Sequence, residues 1–322
     1  MHERSAASIR SRRVTLALGF AALAAILAFM LIDLRGSIAF ALELRAERLA
    51  ALIAVAVAIA VSTVLFQTVT GNRILTPSIM GMDALYMLIQ SVLVFTLGSI
   101  GFAALPVVGT FIGETAVMAL LAAGLFLPIL RHGGDLVLML LVGVVLGVLF
   151  RSLASLVARL IDPNEFAVVQ SVTHADFNTV DAALIGPCLI ATVAGAALAW
   201  RWRHRLDVMA LGADAAVGLG VDWRRTAVTL LIAMGVLVAA STALVGPVAF
   251  LGLVVVALAE RLVGTSRHSV MLPAAAFTAI LVLVGGQTIL THALDNTVTI
   301  GVVIELVGGA VFLALLLSRR WV

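Results

Sequence analysis

The sequence predicts an all-α, polytopic membrane protein of about ten transmembrane helices, built as one domain over residues 1–322. Three observations predict it. Hydrophobic residues make up 63% of the chain and charged residues only 11%, where a soluble domain would be about a quarter charged. The mean hydropathy is +1.20, too high to leave a surface for water. The apolar residues also come in long unbroken runs, not in the short alternating segments of a membrane β-barrel.

A helical span needs about 20 mostly apolar residues. Ten runs qualify, at 14–32, 49–69, 78–98, 107–130, 136–158, 184–200, 226–245, 247–263, 270–290 and 299–317. The first follows a basic start, "MHERSAASIRSRR". Its apolar stretch exceeds a signal-peptide core and ends without a clean small-x-small cleavage site, so it reads as an uncleaved helix. Gly and Pro blur the turn at 99–112. The stretch "RLIDPNEFAVVQSVTHADFNTVDAA" at 159–183 is too polar to span and long enough for an interfacial helix.

Charge then orients the spans. Every basic side chain is Arg, a bias that genome composition explains more simply than function. With ten spans both termini share one side. That side carries Arg4, Arg10, Arg12, Arg13, Arg73, Arg131, Arg201, Arg203, Arg205, Arg224, Arg225, Arg267, Arg319 and Arg320. The other has Arg35, Arg45, Arg48 and Arg159, and Arg151 and Arg261 fall inside or near helix ends. Fourteen against four is a strong positive-inside signal, which places both termini in the cytoplasm. The basic residues are thereby topology determinants, and a nucleic-acid surface is excluded. Acids instead mark the outer side (Asp33, Glu43, Glu47, Asp162, Glu165, Asp176, Asp181, Asp295), as a solvated rim would. The single Cys188 forms no intramolecular disulfide.

The longest loop on the arginine-rich side is "LDVMALGADAAVGLGVDWRRTA", Leu206 to Ala227. Leu211-Gly212 and Leu219-Gly220 bracket a small-residue segment containing Asp214 and Ala216, which reads as short helix, turn, short helix. Its apolar residues either pack on the protein's own helix ends or enter a groove on a partner. The residues alone leave both open.

The pattern Leu-Gly, three residues, Ala, two residues, Leu-Gly-Val resembles the coupling loop of permeases in the iron-chelate uptake family of ABC importers, relatives of the vitamin B12 importer. "GPVAFLGLVVVALAERLVGTSRHSVMLPAAA" (246–276), "FQTVTGNRILTPSIMGMDALYMLIQ" (66–90) and "VVIELVGGAVFLALLLSRR" (302–320) resemble other family segments, in order. Two departures, Val256-Ala257 after Gly-Leu and "VVQSVTHADFN" in the outer stretch, look like the subgroup that handles catecholate and mixed-ligand siderophores. The resemblance implies a type II importer permease fold and a loop at about 206–222 that docks on an ATP-binding subunit through Leu211, Gly212, Ala216, Leu219 and Gly220. It also implies a second permease subunit, identical or different, and an extracytoplasmic siderophore-binding protein. In the family an Arg-x-x-Arg at the outer end of the second span meets acidic residues of that protein, which here points to Arg45 and Arg48. The alternative for that pair is an interface anchor neutralised by Glu43 and Glu47.

Candidates for the pathway or gate are Gln67, Glu305 and the glycines of "RHGGD", Gly133 and Gly134. Asp83, Glu114, Glu260 and Glu305 lie in or near spans, where an ionised acid costs about 2.5–3.5 kcal/mol and so faces protein or water. There is no Walker loop, no His/Cys/Glu cluster and no nucleophile triad. The expectation is therefore a non-enzymatic permease in the bacterial cytoplasmic membrane, with neither cofactor nor metal of its own, carrying a ferric siderophore whole. The alternatives are an ion-coupled carrier using the intramembrane acids, or a family importer of haem or cobalamin.

Overall fold

The computed structural model describes residues 2–33, 37–131, 136–173, 175–293 and 299–317. Among these residues all regular structure is helical. The long helices are α1 (His2–Leu31), α2 (Ile38–Thr70), α3 (Met82–Ala103), α4 (Val107–Arg131) and α5 (Leu136–Leu160). After a short α6 (Pro163–Val172) come α7 (Ala182–Arg201), then α8 (Arg203–Met209) and α9 (Ala213–Gly218) in the loop, then α10 (Trp223–Val245). The chain closes with α11 (Leu251–Val263), α12 (His268–Ala293) and α13 (Ile300–Leu317). Each expected span falls on one of these helices, and α6 occupies the stretch judged too polar to cross.

Among the described residues eight helices are long and apolar enough to cross a bilayer, and Ile300–Ala314 in α13 is a shorter apolar one. The run at 247–263 departs from expectation. Its helix, α11, has 13 residues, about 20 Å at 1.5 Å per residue, short of the ~30 Å hydrocarbon layer. Gly246, at φ 92°, ends α10, and the chain stays non-helical to Phe250. Gly246, Pro247 and Val248 are buried, so protein surrounds this irregular backbone. The Asp176 N–H, from the stretch after α6, donates to the Val245 carbonyl at 3.0 Å.

The bundle is built around α2. From Ala51 to Thr70 nearly every α2 side chain is buried, which is what a helix apolar on all sides requires. Helices α7, α10, α11 and α12 pack against it, α1 lies on α12, and α5 lies on α3. Small residues let these backbones approach. Where the 3-10 turn Pro77–Met80 meets α3, Gly81 sits so close to Gly147 of α5 that a β-carbon would stand 2.6 Å from the Gly147 Cα. Gly147 is well inside α5, so the start of α3 lies at membrane depth rather than at the surface. The far end of α3 is broken at Gly98, where φ is 68°, and Glu165 of α6 accepts the freed Ser99 N–H at 3.1 Å.

Candidate functional site

The loop between α7 and α10 is a rigid frame. Leu206 and Met209 of α8 and Ala216 of α9 are fully buried or nearly so. Gly212 enters α9 at φ 99°. Gly220, left-handed at φ 81°, ends it, with Gly220 N–H bonded to the Val217 carbonyl and Val221 N–H to the Ala216 carbonyl, both at 2.9 Å. That is the Schellman closure, which glycine makes cheaply. Asp222 then caps α10 by accepting Arg225 N–H at 3.0 Å. With the inner face packed, Leu211, Val217 and Leu219 are left 62–64% exposed. The structure divides the loop's apolar residues into two sets. Leu206, Met209 and Ala216 pack on the protein, while Leu211, Val217 and Leu219 face outward.

Behind the loop, on the arginine-rich side, is a cavity of about 200 Å³. Gln67, Thr68, Arg73, Ala210, Glu260 and His268 are among its lining residues. Gln67 donates to the Arg73 carbonyl at 2.7 Å, so it fixes the chain after α2 as well as lining the space. Arg73 pairs with Glu260 of α11 in the cavity wall. His268, the first residue of α12, contacts Asp207 of α8 and Thr68 of α2. None of these partners is near its mate in sequence, and sequence reasoning missed both links. Gly133 and Gly134 lie outside the described residues.

At the opposite end Arg45 turns toward α1. Its Nη1 donates to the carbonyls of Phe29, Met30 and Ile32, and its Nη2 to Asp33, at 2.7–3.2 Å. Arg45 thus caps the C-terminus of α1, where orphan carbonyls and the helix dipole both favour a cation. Arg48 lies beside it, its Nε buried without a hydrogen-bond partner. Both line a small cavity with Asn178, Gln287 and His292. The spacing of three does bring the two arginines to one place, but their hydrogen bonding differs.

Charged groups also converge inside the membrane. Asp83, buried in the first turn of α3, is close enough to Arg151 of α5 and Glu305 of α13 for both charges to act on it. Gln90 donates to Glu114 at 2.9 Å, both buried, which joins α3 to α4. On α5 the exposed Arg151, Ser152, Ser155 and Arg159 line an open groove. Their spacing puts them on one face, and an arginine at this depth does not face hydrocarbon. Glu305 of α13 is near enough for its charge to act on Asp83. The available signal for that face was two Arg and two Ser at helical spacing within an apolar run.

Among the described residues no group of three or more His, Cys, Asp or Glu is arranged to hold a metal ion. A framed loop with apolar side chains outward and charged groups at membrane depth belong to a polytopic membrane protein. The chain belongs to the FecCD transport family, whose model matches residues 14–318. It is 40% identical over 293 residues to the petrobactin import system permease protein YclO of Bacillus subtilis, covering 91% of this chain and 93% of that one. It is 31% identical over 277 residues to the petrobactin import system permease protein FatC of Bacillus anthracis, covering 86% and 78%. The solved structure of a putative metal-chelate type ABC transporter in an inward-facing conformation superposes with a TM-score of 0.79 over 96% of this chain and 99% of that one, at 19% identity. This chain is accordingly the permease subunit of an ABC importer, and ATP hydrolysis belongs to a separate subunit. The family implies two partners, an ATP-binding subunit and a substrate-binding protein.

Proposed function

We propose that this permease imports a ferric siderophore of the petrobactin class across the bacterial cytoplasmic membrane. The arginine-rich side, with both termini, is cytoplasmic. A loaded siderophore-binding protein docks on the outer face near Arg45 and Arg48. Of the two, Arg48 is the freer to meet a carboxylate, since Arg45 is occupied by α1. Two permease subunits, alike or different, enclose the path, with the polar face of α5 and Glu305 turned toward it. The ATP-binding subunit grips the 206–222 loop. The observation that carries this reading is the outward display of Leu211, Val217 and Leu219 on a frame closed by Gly212, Ala216 and Gly220. Such a surface suits a groove on a soluble partner.

The test couples assembly to cargo. Ala216 is wholly buried, so Ala216→Phe forces α9 off its frame. The tagged wild-type permease should retain an ATP-binding subunit in mild detergent, and the variant should lose it. Vesicles holding the whole importer should take up radio-iron-labelled ferric petrobactin in preference to haem or cobalamin. Preference for either of the latter would replace the substrate while keeping the machine. An ATP-binding subunit held equally by the variant would remove the loop from the coupling role.

A further inference from the structure

The coupling loop is hydrogen-bonded to two transmembrane helices through one buried imidazole. Asp207 of α8 accepts two hydrogen bonds from a single residue of α12 with the same oxygen, Oδ1: the His268 backbone N–H at 2.7 Å and the ring Nδ1 at 2.8 Å. The His268 side chain is only 4% exposed and that of Asp207 31%. The other ring nitrogen, Nε2, lies 2.7 Å from Thr68 Oγ1 of α2. A carboxylate only accepts, so Nδ1 carries a proton. The Thr68 hydroxyl has one proton to give and also lies 2.7 Å from the Val64 carbonyl. If that proton goes to Val64, Nε2 donates and the ring is an imidazolium paired with Asp207. If it goes to Nε2, the ring is neutral. In both arrangements the bond to Asp207 persists, and only the bond to α2 changes character.

The consequence is mechanical. His268 opens α12, so Asp207 supplies a capping acceptor for a helix start from a different segment, and two bonds to one residue resist rotation better than one. Leu206 and Met209, on either side of Asp207, are buried against the bundle. Thr68, His268 and Ala210 line the same cavity as the Arg73–Glu260 pair. Whatever shifts α8 therefore pulls on α12 and α2, the walls of that cavity, in one movement.

We propose that Asp207, His268 and Thr68 form the strut that carries movement of the ATPase-gripped loop into α12 and α2 and so opens and closes the cavity behind it. These are positioning residues and need not touch cargo. The inference rests on the coupling role proposed for the 206–222 loop, and on no particular substrate.

The experiment uses the whole importer in vesicles, with ATP hydrolysis and ferric petrobactin uptake measured together. Asp207→Ala should leave ATP hydrolysis near wild type and lower uptake per ATP about tenfold, the scale of losing hydrogen bonds to a charged group. Asp207→Asn keeps the accepting oxygen and should restore most of the ratio. Thr68→Val, nearly isosteric, should lower it by a smaller factor from the α2 end. An unchanged ratio in Asp207→Ala, or an Asn variant as damaged as Ala, would overturn the strut. So would hydrolysis and uptake falling in proportion, which marks a fault of assembly instead. A readout free of any cargo is the distance between spin labels at the exposed His204 of α8 and Arg267, just before α12, in the permease–ATPase complex. It should hold constant on ATP binding in the parent and change in Asp207→Ala. If ferric petrobactin is not transported but this distance behaves as stated, the substrate is wrong and the strut stands. If the distance responds to ATP alike in the parent and in Asp207→Ala, the strut falls.

Discussion

Gly81 offers the sharpest quantitative test of how the charged centre is assembled. It ends the 3-10 turn Pro77–Met80 and begins α3, at φ 83°. A β-carbon there would lie 2.6 Å from the Gly147 Cα, 2.9 Å from the Gly147 nitrogen and 3.3 Å from the Gly143 carbonyl oxygen. These are backbone atoms of α5, and no rotamer change relieves them. Gly81→Ala carries about 1–2 kcal/mol for the left-handed backbone and a further 1–3 kcal/mol, roughly, for overpacking. Gly71 is the control, with φ 60° and nothing within 4 Å of its β-carbon position, so Gly71→Ala carries only the first cost. Thermal unfolding of both variants in detergent, followed by tryptophan fluorescence, should find Gly81→Ala less stable than Gly71→Ala by about 1–3 kcal/mol. Uptake should fall in Gly81→Ala even below its melting range, because Asp83 is two residues away and moves with the start of α3 relative to Arg151. Equal destabilisation in the two variants would refute the close crossing of α3 and α5.

Three further outcomes follow from the geometry. Arg45→Ala strips four hydrogen bonds from the end of α1 and should cost about 1–2 kcal/mol, measured by melting, whereas Arg48→Ala should spare stability and weaken binding-protein affinity. Arg73→Ala removes the ion pair with Glu260 that ties the segment after α2 to α11 and should raise ATP hydrolysis measured without binding protein. Glu114→Gln keeps an oxygen to accept from Gln90, so uptake should persist, whereas an ion-coupled carrier relying on that acid would lose it.

How much of this was legible in the sequence depends on the kind of interaction. Hydropathy located the helices because burial in lipid is a property of each residue summed along the run. It misjudged 247–263 because Gly246 and Pro247 change backbone geometry without changing the average. The frame of the 206–222 loop was readable residue by residue, since Gly212 and Gly220 sit where the backbone has positive φ and Ala216 is wholly buried. Which apolar residues face out was not readable, because six-residue α9 is too short for a periodicity. Arg45 looked like one half of a docking pair because spacing reports neighbours on its own helix, whereas its acceptors are carbonyls 12 to 16 residues earlier. Asp83 and Arg151 were each visible as costly intramembrane charges, but no pattern within α3 or α5 states that these helices adjoin. The intramembrane acids suggested an ion relay only while their neighbours were unknown. With Asp83 within reach of the Arg151 charge and Glu114 held by Gln90, these charges have partners inside the protein, and membership of an ABC importer family puts the energy source in a separate ATP-hydrolysing subunit.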